Sequence, residues 1–371
     1  MSSAQFRIFV DNAAASEEQL ATFTSIRVEQ AIGMAAAAEF QVSLATDEMG
    51  RWTGFDDPWV QPFARLRLEI KVAGEGGFVP LIDGPVVGHR FELRAEPDAS
   101  VLIVVAHDDS VLLDREEKVA VFKNEPLASL VRGLIEEHGL TARVSPSLPD
   151  AGAALDRWIV QRGTNMQLLR QLAQRFGMFA YVEPGDMPGV SVGVFEPPAA
   201  GNDGLPDLVL LGDARNIGRF DAAFDALRPQ APRANAVQAI DTRAIAASAR
   251  AAADTPLGDQ AVHSLLEPAT TLLVHTREEQ GDVDAATAGM ANLSAWAYSA
   301  HGEVDSDLYP AVLRPHRKLR VIGIGRQLSG DYMVSRVLHQ IDDAGYRQSF
   351  SLVRNARSAG DGTAGLLPDL F

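Results

Sequence analysis

The chain has 371 residues, 46% of them hydrophobic, with a formal net charge of −16 at pH 7 and no cysteine. A chain of this length suits about two or three domains. The missing cysteine excludes disulfides, thiolate catalysis and Cys-ligated zinc. The acidic balance argues against stable nucleic-acid binding, which needs clustered Lys and Arg to displace counterions. No apolar run approaches the ~20 residues of a spanning helix, so no membrane insertion by this chain is expected. The opening residues MSSAQFRIFVDN carry no basic and apolar leader pattern, and the expected place of synthesis and assembly is the cytoplasm.

Residues 1–120 read as all-β. Phe6, Ile8 and Val10 are spaced by two, as are Phe40, Val42 and Leu44 and then Leu66, Leu68 and Ile70, while Phe23, Ile26 and Val28 follow at three and two. Further strands are predicted at 78–91 and 100–106. Short strands at this spacing predict a barrel or a sandwich, assigned as a first β-barrel, with an open half-exposed sheet as the alternative. The intervening loop, 51–62, holds Trp52 and Trp59, candidate interface anchors, with ordinary loop packing as the alternative.

The period changes over 121–200, an α+β middle module. Asn124 is placed to cap a helix with Pro126 in its first turn, Gly139 at its end, and Leu127, Leu130, Val131, Leu134 and Ile135 along one face. A second helix is predicted over 164–176, with Leu168, Leu169, Leu172, Ala173 and Phe176 inward and Gly177 as C-cap. Strands at 178–182 and 190–195 lead to the Pro197-Pro198 linker.

Residues 201–357 return to β character as a second barrel, with a helical insertion at about 241–304. Strands are predicted at 208–211 and 236–240, an Ala-rich weak helix or loop at 244–254, and a helix capped by Asp282 that runs to about Ser299 with Ala286, Met290, Leu293 and Ala297 on one face. A three-strand meander closes the region between Leu319 and Val353, turning at Asp342-Asp343-Ala344-Gly345. The strand pattern after Gly84 also repeats faintly after Gly330, with 101–106 matching 347–352. The tail, 358–371, holds Leu366, Leu367, Leu370 and Phe371. Disordered tails are poor in such residues, so these four are assigned to partner binding, with a frayed end or fold-back as the alternative.

Candidate chemistry is sparse. GIGRQLSG, 323–330, follows a strand but precedes another strand, whereas a phosphate site needs a helix N-terminus. The eight histidines form no H-x-x-x-H pair, and His107-Asp108-Asp109 is the remaining ligand-like cluster. No G-x-S-x-G elbow is present. No catalytic, cofactor or metal residue is therefore assigned, and no enzyme activity is expected.

Two segments resemble the phage late control D family, the baseplate hub proteins of contractile tails. One carries Gly323, Gly325, Gly330, Tyr332, Val334, Val337, His339, Gly345, Tyr346, Phe350 and Arg354; the other is the strand–helix–hairpin run 158–183. The chain is also similar to the N-terminal hub part of type VI secretion spike proteins. The resemblance implies an α+β, mainly β fold with two tube-protein-like antiparallel β-barrels and a homotrimer. It further implies partners in a separate spike protein, in tail tube or tube-initiator subunits and in baseplate proteins, within a phage tail or injection particle. A tail-associated cell-wall hydrolase and a trimeric host-surface binding module are the rival functions.

Overall fold

A computed structural model describes residues 4–55, 57–96, 99–146, 148, 158–198, 203–237, 242–277, 280–305 and 307–358. The first lobe contains β1 (Gln5–Val10), β2 (Ala13–Ala14), α1 (Glu17–Ala21), β3 (Phe23–Ala31), β4 (Ala37–Ser43), β5 (Arg65–Lys71), β6 (Val79–Glu92), β7 (Val101–His107) and α2 (Ser110–Leu113). The middle module contains β8 (Lys118–Lys123), α3 (Leu127–Glu136), β9 (Thr141–Val144), β10 (Trp158–Gly163), α4 (Asn165–Phe176), β11 (Phe179–Pro184) and β12 (Ser191–Glu196). The second lobe begins with β13 (Leu208–Val209), β14 (Phe220–Phe224), β15 (Gln230–Val237), β16 (Ala244–Ser248), β17 (Gln260–Ala261) and β18 (Ala269–Arg277). It ends with α5 (Gln280–Ser294), β19 (Tyr298–Asp305), β20 (Lys318–Ile322), β21 (Gly330–Asp342), β22 (Gly345–Arg354) and β23 (Ala356–Arg357).

The fold is α+β and mainly β, as the alternating patterns imply. Successive side chains of a strand point to opposite faces, so Ile26 and Val28, Phe40 and Val42, Leu66 and Leu68, and Leu102 and Val104 turn into one core. Val304, Leu319, Val321, Tyr332, Val334, Val337, Phe350 and Leu352 fill another. Each such fully buried side chain contributes about 1.5–3 kcal/mol.

One 13-stranded sheet spans both lobes. Its path in the first lobe is β3-β4-β7-β6-β5-β1, and in the second β14-β19-β22-β21, with β20 on β21. The orders β3-β4-β7-β6-β5 and β14-β19-β22-β21-β20 are the same arrangement twice. Backbone detail repeats as well. Phe63 N–H donates to Val86 O and Val86 N–H to Ala64 O, while His316 N–H donates to Val334 O and Val334 N–H to Arg317 O. Phe63 and His316 share a left-handed φ of 65° and 67°, and the register then slips after Val86 in β6 and after Val334 in β21. The faint sequence repeat is a repeat of topology: 101–106 corresponds to 347–352 as read, whereas hydrogen bonding and bulge position match Val86 to Val334, two residues beyond the Gly84–Gly330 alignment.

The halves meet where β3 pairs antiparallel with β21, from Ala31 opposite Arg336 to Ile26 opposite Ile341. This joint makes the sheet an open path among the described residues, where two separately closed barrels were expected. The helical insertion is also different. Its three-stranded sheet, β16-β15-β18, packs on the single helix α5. The Ala-rich 244–248 stretch is a strand because Ile245 buries against Val283 of α5 and pairs with Ala236, and tertiary packing overrides weak helix propensity.

In the module, all five stripe residues of α3 are buried, although Pro126 is the N-cap and Asn124 adopts a left-handed turn before it. Helix α4 starts with a Thr164–Gln167 capping box and ends on Gly177. Helix α5 starts before Asp282 and ends at Ser294, so Ala297 lies beyond it.

Candidate functional site

The ligand-like His107-Asp108-Asp109 cluster serves packing. Asp108 is buried and accepts from Ala36 N–H at 2.6 Å and Ser110 N–H at 2.9 Å; burial pushes its carboxyl up to about 6. Asp109 takes a two-pronged contact from Arg65, at 3.0 and 2.6 Å, and accepts from the Ser191 hydroxyl at 2.6 Å. Arg65 also reaches Asp83 at 2.6 Å, and buried Arg67 bridges Glu69 at 2.7 Å and Asp83 at 3.0 Å. Asp83 accepts from Gly189 N–H at 2.9 Å, and Arg67 donates to Met187 O at 3.1 Å. This network fastens β5 and β6 to the turn between β11 and β12, so its charges are spent on holding the module to the first lobe. Among the described residues no three His, Asp or Glu side chains are grouped to hold a metal. The glycines of 323–330 sit in the β20–β21 connection, and Gly323 and Gly325 adopt left-handed φ there.

Of the predicted anchors, Trp59 is a core residue, 2% exposed, with its ring edge-on to Phe23 at 5.1 Å; it presents nothing to a partner. Trp52 is half-buried against the same core and bridges to Thr46. Trp59 follows the loop-packing alternative, and Trp52 keeps part of its surface exposed. Leu366, Leu367, Leu370 and Phe371 lie outside the described residues.

The surface instead offers other sites. On the outer face of the β8/β10 ribbon, Val119 (84% exposed), Val121, Trp158 and Val160 form an apolar strip, with Lys123 over the Trp158 ring at 4.3 Å. A groove of about 530 Å³ between α4 and α5 is lined by Arg175, Arg228, Leu273, Met290 and Leu293. Two sheet edges also carry apolar side chains. At β14 no strand pairs with the outer edge among the described residues, and Phe224 is 41% exposed. Along β6 the pairing with β5 stops at Pro85; beyond it Phe91 and Leu93 are 50% and 51% exposed. Sequence reading missed both edges. The signal was present in His89, Phe91 and Leu93 alternating with Arg90, Glu92 and Arg94, an apolar face that outlasts its partner strand.

No family model matches the chain, and no curated protein does. Solved structures match over nearly its whole length. A 43 kDa tail protein of prophage MuSo2 from Shewanella oneidensis aligns at 16% identity and a TM-score of 0.62, covering 95% of this chain and 99% of that one. A tail protein from Neisseria meningitidis MC58 aligns at 14% identity and a TM-score of 0.60, covering 99% and 100%. An E. coli component of the type VI secretion system, itself similar to T4 bacteriophage tail proteins gp27 and gp5, aligns at 11% identity and a TM-score of 0.55, covering 95% and 76%. The chain has the fold of these prophage tail and type VI proteins, the fold that its resemblance to the baseplate hub family implies.

Proposed function

We propose that the chain is a structural hub subunit of a phage tail or related injection machine, and that it forms a homotrimer adapting a six-fold tube to a three-fold spike. The observation that carries this reading is the doubled lobe. A chain holding the strand order β3-β4-β7-β6-β5 and its repeat β14-β19-β22-β21-β20 offers two like units, so three chains offer six. The alignment of the whole chain with tail proteins supports the same reading. Ring contacts of this sort are heterologous and close on themselves.

A separate spike protein, tube or tube-initiator subunits and baseplate proteins are the proposed partners. The 366–371 segment is proposed to dock on the spike or on a neighbouring hub subunit. Mass measurement of the purified chain, followed by electron microscopy of the particle, tests the trimer; a monomer both alone and with its spike would refute it. The chain is proposed to be non-catalytic; the buried acids Asp83 and Asp109 are committed to arginines and Asp108 to backbone N–H groups. Peptidoglycan hydrolysis abolished by one Asp or Glu substitution would favour the hydrolase reading instead.

A further inference from the structure

The internal joint supplies a template for the two unpaired edges. At the joint, Ile26, Val28 and Gln30 of β3 face Ile341, His339 and Val337 of β21. All but Ile341, which packs on the first core, are buried. The repeat then fixes which residues correspond. The hydrogen bonds around Val86 and Val334, and the register slip that follows each, make His89, Phe91 and Leu93 the counterparts of Val337, His339 and Ile341. Pairing through β4 and β7 on one side, and β19 and β22 on the other, makes Phe220, Ala222 and Phe224 the counterparts of Ile26, Val28 and Gln30. Among the described residues, the β21-like edge is open in the first lobe and the β3-like edge is open in the second.

We propose that β14 of one copy pairs antiparallel with residues 88–93 of the next copy, repeating the β3–β21 joint between chains. The register follows from the correspondence: Phe224 opposite His89, Ala222 opposite Phe91 and Phe220 opposite Leu93. Those side chains share one face of the new seam, so Phe91, Leu93 and Phe224, now half exposed, become buried together beside Phe55, whose ring already lies edge-on to Phe91 at 5.1 Å. Apolar pairs directly opposite are the stabilising unit of such a seam, and pairing removes two exposed edges of the kind that proteins otherwise keep short or charged. On the other face Asp221 meets Glu92, with Arg219, 2.8 Å from Asp221, placed to serve both carboxylates. The two surfaces differ, so the contact runs head to tail and propagates one continuous sheet around a ring. The number of copies in the ring rests on the trimer reading above; the strand pairing does not.

The chain has no cysteine, which makes a disulfide test clean. Opposed Cα atoms in antiparallel strands lie about 4.5–5.5 Å apart, within disulfide range. A chain carrying both Phe91→Cys and Ala222→Cys should give disulfide-linked two- and three-chain products on mild oxidation. The yield should be about tenfold above that of Phe91→Cys with Ala223→Cys, whose side chain leaves the opposite face. As a second measurement, Phe91→Asp with Phe224→Asp should leave the circular-dichroism spectrum unchanged and convert oligomer to monomer. A trimer by mass whose in-register pair links no better than the control would overturn the pairing and leave the trimer standing. Linked ladders without a closed three-chain species would support the pairing and overturn three-fold closure. Monomer with no linkage, both alone and with its spike, would overturn both.

Discussion

His339 sits at the internal joint with both ring nitrogens engaged. Gln30 Nε2 donates to Leu81 O at 2.6 Å, so Gln30 Oε1 is left to accept from His339 Nε2–H at 3.3 Å, and Tyr346 OH donates to Nδ1 at 2.8 Å. Burial, with Arg314 nearby, pushes the imidazole down to about 3. His316, stacked on Tyr181 at 3.8 Å, is likewise pushed down to about 3 by burial and Arg317. A depressed histidine favours the fold above its unfolded pKa near 6.5, and that stability is lost as pH falls toward the folded value, at about 1.4 kcal/mol per pH unit for each ring. Asp108, raised to about 6, acts in the opposite sense between its ordinary value and 6 and offsets one of the two. His339→Gln should therefore flatten the decline in denaturation midpoint between pH 6 and 4 by one proton's share; parallel curves for the two proteins would contradict a buried neutral ring. At Trp59, fully within the first core, substitution by Ala should cost about 3–5 kcal/mol, read as a lowered denaturant midpoint. A surface anchor would leave that midpoint unmoved.

At the scale of elements, two packing devices carry predictions. Asp83 compensates Arg65 and Arg67 and also receives Gly189 N–H. Asp83→Ala leaves two guanidinium groups short of a partner and should destabilise by about 3–5 kcal/mol, with faster amide exchange over 186–191 as its local signature. Helices α4 and α5 meet at Gly177 and Gly289, where a Cβ on Gly289 would lie 2.6 Å from Gly177 N. Gly289→Ala should lower the melting temperature and loosen α5 from α4, whereas Gly133→Ala, where a Cβ meets open space, should not.

Legibility followed the same physics. Strands β3, β4 and β5 and helices α3 and α4 were readable because one face of each meets a single core and the sequence alternates accordingly. Helix α5 packs on a sheet with one face and on α4 with another, so its small residues gave a blurred stripe and uncertain ends. Strand β14 was unreadable because four of its five residues face solvent in the isolated chain. The buried acid–arginine network was invisible as well, since it is assembled from residues as far apart as Arg65 and Ser191.

For the whole molecule, the proposed homotrimer should run at three times the chain mass of 39.8 kDa, and the acidic chain should show no salt-sensitive retention of DNA, since retention requires counterion release by clustered bases. The joint between β3 and β21 has one more consequence, and it concerns the order of synthesis. Strand β3 is made near the start of the chain, but the strand that covers its edge is made some 300 residues later. At roughly 5–20 residues per second on the ribosome, that is on the order of 15–60 s. During that interval the N-terminal lobe has the means to fold while offering Ile26, Val28 and an unpaired backbone to any nascent neighbour. A premature β3 edge and the open 88–93 edge of a lobe on an adjacent polysome are well matched by the repeat, since His89, Phe91 and Leu93 correspond to the β21 residues that β3 meets in the finished chain. The duplication that supplies the symmetry thus also supplies a mispairing of unfinished N-terminal lobes, and chaperone dependence of the yield should fall when translation of 32–329 is shortened by expressing the two lobes as separate, co-folding chains.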